Sequence, residues 1–126
     1  LGFSDEDREE NLRRVSELAK LIIENGLVAI VSFITPQEKF RTQAREIIGT
    51  KNYFEVFVDA PFDTCAKRDV KGLYKKASNG GIASFTGHQS TFEPPVSPWL
   101  KINTDKNSLD ESSSTLLDAV SAEVRL

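Results

Sequence analysis

The sequence contains no methionine, and its 126 residues include one cysteine, one histidine and one tryptophan. The single thiol, Cys65, excludes an internal disulfide and a multi-cysteine zinc site, and is compatible with a reducing, cytosol-like (cytoplasmic) compartment. No apolar run approaches the roughly 18 residues of a membrane span, and the acidic N-terminal stretch lacks the pattern of a secretory signal. Sixteen basic against nineteen acidic residues leave a net charge of −3, so no broad basic face is available for nucleic acid. Without a methionine, Leu1 is not a natural start, and the expectation is that residues upstream have been lost. What remains, 39% hydrophobic and 28% charged, is the composition of one ordinary globular domain.

Helix and strand signals alternate along the chain. Ser4 reads as an N-cap with Asp7 as the acidic partner of a capping box. Leu12, Val15, Leu18, Ala19 and Ile22 then recur at helical spacing, and Gly26 stops the helix. Leu27 to Ile34 is continuously apolar and rich in β-branched residues, as expected of a strand buried on both faces. Thr35-Pro36-Gln37-Glu38 reads as a second helix start, with threonine capping and proline in the first helical position. Phe40, Ala44, Ile47 and Ile48 form its apolar stripe, ended by Gly49. A strand over Tyr53–Asp59, a short helix over Phe62–Lys67, a short helix over Leu73–Ser78, a strand over Trp99–Asn103 and a final helix capped by Ser108 complete the order. The stretch from Arg68 to Pro98 holds Lys71, Lys75, Lys76, Gly80-Gly81 and Pro94-Pro95, and reads as a basic lid followed by an extended loop. Alternating elements imply α/β layering around a parallel sheet. Three strands make that sheet thin, and the apolar Leu27–Ile34 run calls for neighbours on both sides.

The opening run, Leu1 to Arg14, carries the strongest functional signal. Phe3 precedes a capped helix whose first turns present Arg8, Asn11 and Arg14. An aromatic ring to stack a flat base, beside a guanidinium for an anion, suits an adenine-bearing phosphosulfate. Phe3 could equally staple the helix start, and Arg13 fits a solvated helix face with the neighbouring glutamates. Lys71, Lys75 and Lys76 divide evenly between a solvated charge run and a closing clamp. His88 has no assigned role, Cys65 reads as a small buried residue, and Asp59 as a cap for the turn after its strand rather than a catalytic base.

Taken together, Leu1–Arg14, Ile30–Pro36, Phe54–Asp59, Arg68–Ala77, Phe85-Thr86-Gly87 and Phe92–Pro95 resemble adenylylsulfate kinase (APS kinase) over nearly the whole chain, in order. The resemblance implies a P-loop kinase-like, three-layer αβα fold with a parallel sheet. It makes residues 1–126 a single partial domain, with lid and extended loop at residues 68–98. The implied activity is transfer of the ATP γ-phosphoryl group, with Mg²⁺, to the 3′-hydroxyl of adenosine 5′-phosphosulfate. The family pattern implies that Phe3 and Phe85 sandwich the adenine and that Arg8 and Asn11 hold the phosphosulfate and ribose side. In the same pattern Ile34 and Thr35 border the substrate, and Lys75 reaches in from the lid. It also implies a homodimer, and the parent could be fused to ATP sulfurylase.

The sequence departs from the family in one large respect. It has no G-x-x-x-x-G-K-[ST] loop to cradle phosphates and no Asp-Gly-Asp segment. The first strand or strands and the P-loop are thus expected to be missing, no catalytic residue falls within the chain, and the 126 residues alone are expected to lack kinase activity. Two other readings stay open: a non-catalytic remnant or interaction module that keeps only the nucleotide pocket, and another small-molecule P-loop kinase acting on a sugar-like acceptor.

Overall fold

The structure, a computed structural model, describes residue 2 and residues 4–82, 85–86 and 91–124. The chain divides into two compact units: Leu1–Tyr53 with Ala77–Pro94, and Phe54–Lys76 with Pro95–Leu126.

In the first unit α1 runs from Asp5 to Glu24 and α2 from Glu38 to Ile48. The Ser4 hydroxyl accepts the Asp7 amide at 3.1 Å, as an N-cap should. Asp5, Glu6 and Asp7 set negative charge against the positive end of the helix dipole. Leu12, Ser16 and Ala19, spaced four and three residues apart, form the buried stripe. Ser16 is tolerated there because its hydroxyl donates to the Leu12 carbonyl at 2.7 Å. Helix α1 packs against α2, which buries Phe40, Arg41 and Ala44. Gly49 ends α2 at φ 93°, a backbone angle that a side chain would strain, while its amide closes the last turn on the Arg45 carbonyl.

Three sequence expectations fail in this unit, the third only by half. The Leu27–Ile34 run does not form a strand, and Leu27, Val28, Ile30, Val31, Phe33 and Ile34 are all exposed, Ile30 to 83%. Apolar, β-branched composition reports a preference for burial in a sheet, but a strand also needs a neighbour for its backbone ladder. The two strands found among the described residues pair with each other. The start of α2 also differs. Its N-cap is Gln37, which makes no side-chain cap, so the Thr35 capping box does not form. The Glu38 amide instead donates to the Glu93 carboxylate at 2.8 Å, a cap supplied from 55 residues away. On α1, too, only half of the expected box forms: Asp7 turns its carboxylate to the Gly2 amide at 2.9 Å.

The second unit is built on two parallel strands, β1 (Val56–Asp59) and β2 (Leu100–Asn103), in register Val56 to Leu100 through Asp59 to Asn103. Hydrogen bonds from the Leu100 amide to Glu55 and from the Thr104 amide to Asp59 extend the ladder at both ends. Both strands are shorter than their sequence signals. The flanking Phe54 and Trp99 lie outside the ladder and meet edge to face, with ring centroids 5.0 Å apart. Helices α3 (Phe62–Arg68) and α4 (Leu73–Ser78) follow β1, and α5 (Leu109–Glu123) follows β2 and packs on it. Ser108 and Glu111 form a full capping box at α5, and the Ser108 bonds hold the Glu111 carboxyl below its ordinary pKa. The architecture is α/β with a parallel sheet. Among the described residues no helix is long and apolar enough to cross a membrane.

Phe40 is fully buried. Phe40→Ala is expected to cost about 3–5 kcal/mol, the usual loss for emptying a buried aromatic site. Urea denaturation should register it as a lower midpoint at unchanged slope. A loss under about 1 kcal/mol would show that the α1–α2 core does not depend on this ring.

Candidate functional site

Arg8 stands in the second turn of α1, half-buried, and its Nη1 donates to the Thr86 hydroxyl at 3.0 Å. This bond spans 78 positions of sequence and brings the residue after Phe85 against the start of α1. Asn11, three residues further on, shares the Arg8 face of the helix. The Gln37 side chain donates to Asp5 at 3.1 Å, joining the same helix start to the residues just before α2.

Ile34 is exposed and Thr35 half-buried. The Thr35 carbonyl accepts Arg41 Nη1 at 2.7 Å. Glu93 completes this junction: its amide donates to the Pro36 carbonyl at 2.7 Å and its carbonyl accepts Arg41 Nη2 at 2.8 Å. Arg8, Asn11, Ile34, Thr35 and Phe85 thus belong to one compact unit. Phe3 and His88 lie outside the described residues. Lys75 belongs to the second unit, exposed near the start of α4. There the Asp69 carboxylate accepts the Tyr74 and Lys75 amides at 3.0 and 3.1 Å. Asp69 itself adopts φ 22°, a left-handed conformation that Asp tolerates better than most residues.

Other residues singled out in the sequence have settled roles. Arg14 does not stand open toward a ligand: its Nε donates to Glu10 at 2.7 Å, beside the two bonds from Arg13 to the same carboxylate. Asp59 is not a cap. Helix α3 begins at Pro61 without a side-chain cap, and the Asp59 carboxylate pairs with Lys101 at 3.0 Å. Cys65 is half-buried rather than buried. Burial, followed by the neighbouring Cys65, pushes the Tyr74 phenol above its ordinary pKa. Sequence reasoning gave no role to Thr86, Arg41 or Glu93. Thr86 and Glu93 stood inside segments that carried the family resemblance. Arg41 had one signal, a charged residue directly beside Phe40 on the apolar stripe of an amphipathic helix.

The unit offers a guanidinium for an oxyanion, an amide side chain one turn away, and an aromatic residue directly before the threonine that the guanidinium holds. Among the described residues no group of three or more His, Cys, Asp or Glu could hold a metal ion.

Comparison with known proteins places these features in context. The profile of the Adenylylsulphate kinase family matches residues 1–103. The adenylyl-sulfate kinase of Phocaeicola vulgatus is 48% identical over 120 residues, covering 95% of this chain and 59% of the relative. That of Halothermothrix orenii is 49% identical over 118 residues, covering 94% of this chain and 63% of the relative. The chain therefore spans about three fifths of the length of these relatives. Among solved structures, the Mycobacterium tuberculosis APS kinase in complex with AMPPNP and APS superposes with a TM-score of 0.89 at 40% identity, covering 96% of this chain and 70% of that one.

The Glu10 cluster on α1 yields a pH dependence. Hydrogen bonds from Arg13 and Arg14 hold the Glu10 carboxyl at about 2, down from 4.5. A folded-state value below the unfolded one means that this group's stabilisation is present above about 4.5 and is lost as the pH falls through about 2. Carboxyl-resolved NMR should find the Glu10 midpoint near 2 at low salt, and Arg13→Ala should raise it toward 4.5. A wild-type midpoint already near 4.5 would mean that the two guanidinium groups are not engaged in solution.

Proposed function

This chain belongs to the adenylylsulphate kinase family, and on that premise we propose that it carries the acceptor-binding half of an enzyme that phosphorylates adenosine 5′-phosphosulfate. The parent protein transfers the γ-phosphoryl group of ATP to the 3′-hydroxyl and releases 3′-phosphoadenosine 5′-phosphosulfate. The residues of this chain do not fit the ATP phosphates or Mg²⁺: the sequence has no G-x-x-x-x-G-K-[ST] loop, and the described residues hold no metal-binding cluster. In this reading ATP and Mg²⁺ are held by the part of the parent that corresponds to the remaining two fifths of its relatives. The 126 residues form part of one kinase domain, with residues 68–98 as its lid and extended loop. The parent is a cytoplasmic homodimer, open to fusion with ATP sulfurylase.

The observation that carries the reading is the Arg8–Thr86 bond. It brings an anion-binding guanidinium and the segment bearing Phe85 to one place, which is the chemistry that an adenine joined to a phosphosulfate needs. Arginine's planar fork matches tetrahedral oxyanions. Phe85 stacks one face of the adenine and Phe3 the other, a contact worth about 1–3 kcal/mol per base. Asn11 hydrogen-bonds the ribose side, and Ile34 and Thr35 border the acceptor nucleotide. Lys75 enters through the family pattern alone, as a lid cation for the transferred group. Within this chain the contribution to catalysis is to bind and orient the 3′-hydroxyl, because productive geometry itself lowers the barrier. The M. tuberculosis relative was solved with APS and an ATP analogue together, which supports a two-substrate site in the parent.

Phe85→Ala in the full-length protein is expected to weaken binding of adenosine 5′-phosphosulfate about tenfold or more, read by calorimetric titration. Unchanged affinity would remove Phe85 from the adenine site.

A further inference from the structure

We infer that Arg41 is a positioning residue for the acceptor site, holding the Thr35 peptide and Glu93 on the first turn of α2. The inference rests on the acceptor-binding reading above and extends it to a residue that does not touch substrate.

Arg41 is buried to 2% exposure, beside Phe40 in the apolar stripe of α2. A guanidinium is costly to bury unless its donors are matched. Here they are spread over three acceptors in different directions. Nε and Nη2 donate to Glu38 Oε2 at 3.1 and 2.8 Å, Nη1 to the Thr35 carbonyl at 2.7 Å, and Nη2 to the Glu93 carbonyl at 2.8 Å. One acceptor is a helix-start carboxylate, one belongs to the residue that borders the acceptor nucleotide, and one lies 52 positions away in sequence.

Each link limits a different motion. The Thr35 carbonyl is fixed by Arg41, and Pro36, itself fully buried, confines Thr35 to extended backbone. The Thr35 hydroxyl is then left with χ1 as its main freedom. Glu93 is gripped three times: through its amide by Pro36, through its carbonyl by Arg41, and through its carboxylate by the Glu38 amide. The Glu93 side chain thus supplies the cap that Gln37 does not, so α2 can begin where it does only while this segment is docked. The stretch leading to Glu93 carries Phe85 and Thr86, and Thr86 is held at its other side by Arg8. Arg41 therefore anchors the site border and Glu93 through one side chain. Lysine cannot replace it, because an ammonium lacks the rigid fork that serves divergent acceptors at fixed angles.

The test uses Arg41→Lys and, as a milder second variant, Glu93→Ala, both in the full-length protein. Arg41→Lys should raise the KM for adenosine 5′-phosphosulfate about tenfold and change the KM for ATP less than about twofold. Hydrogen exchange should speed up at the Glu38 and Glu93 amides while the amides of α1 stay protected. Glu93→Ala should move the same quantities in the same direction, by about threefold, and reports on the junction if Arg41→Lys does not fold. A lower melting temperature with both KM values unchanged would overturn the inference, because Arg41 would then be structural only. Equal changes in both KM values, or loss of protection throughout the unit, would overturn it as well. A wild-type protein that shows no saturable use of adenosine 5′-phosphosulfate fails at the earlier step: it sinks the acceptor-binding reading and takes the positioning role with it.

Discussion

A buried guanidinium organises the first unit. Arg41 lies in the apolar stripe where α2 packs on α1, and its charge is matched by the nearby Glu38 carboxylate and Thr35 carbonyl and by the Glu93 carbonyl 52 positions away. Removing any one partner would leave buried polarity uncompensated, a larger loss than the bond alone contributes. The consequence is cooperative order. The turn before α2, the first turn of α2 and Glu93 take up their places together. Arg8 makes a second long-range contact, with the Thr86 hydroxyl, closer to solvent. The Arg41–Glu93 and Arg8–Thr86 contacts span 52 and 78 positions of sequence and tie both residues to the two helices of the unit.

Local signals were legible where the deciding interactions are local. Ser4 and Ser108 cap their helices as their sequence patterns require, and α4 occupies its expected span, Leu73–Ser78. Gly49 ends α2 with the positive φ that a glycine permits. The expectations that failed involve partners distant in sequence. The apolar, β-branched pattern of Leu27–Ile34 predicts a buried strand, yet pattern does not supply a neighbouring strand, and the run forms none and stays exposed. The composition of Thr35, Pro36 and Glu38 predicts a start of α2 two residues early, while the actual cap comes from Glu93. No inspection of residues 35–38 reveals that substitution.

The site was legible in part, and for the same reason. Residue types with intrinsic chemistry, Arg8 and Phe85 above all, could be named from the sequence and are brought into one unit. Thr86, Arg41 and Glu93 act through contacts that local sequence does not show: the Thr86 hydroxyl on Arg8, the Arg41 guanidinium on the Thr35 and Glu93 carbonyls, and the Glu93 carboxylate on the Glu38 amide. Arg14, equal to Arg8 in residue type, is distinguished only by structure, where Glu10 engages it. A positive charge near a helix start is thus a weak indicator until its counter-charges are known.

The most direct measurement is a backbone and side-chain NMR titration of the 126-residue chain with adenosine 5′-phosphosulfate, with ATP as the comparison ligand. Saturable shifts are expected at Phe3, Arg8, Asn11, Ile34, Thr35 and Phe85 with the first ligand, and no saturation at those positions with the second. Shifts of equal size with both ligands, or saturation centred away from Arg8 and Phe85, would contradict the acceptor-binding reading.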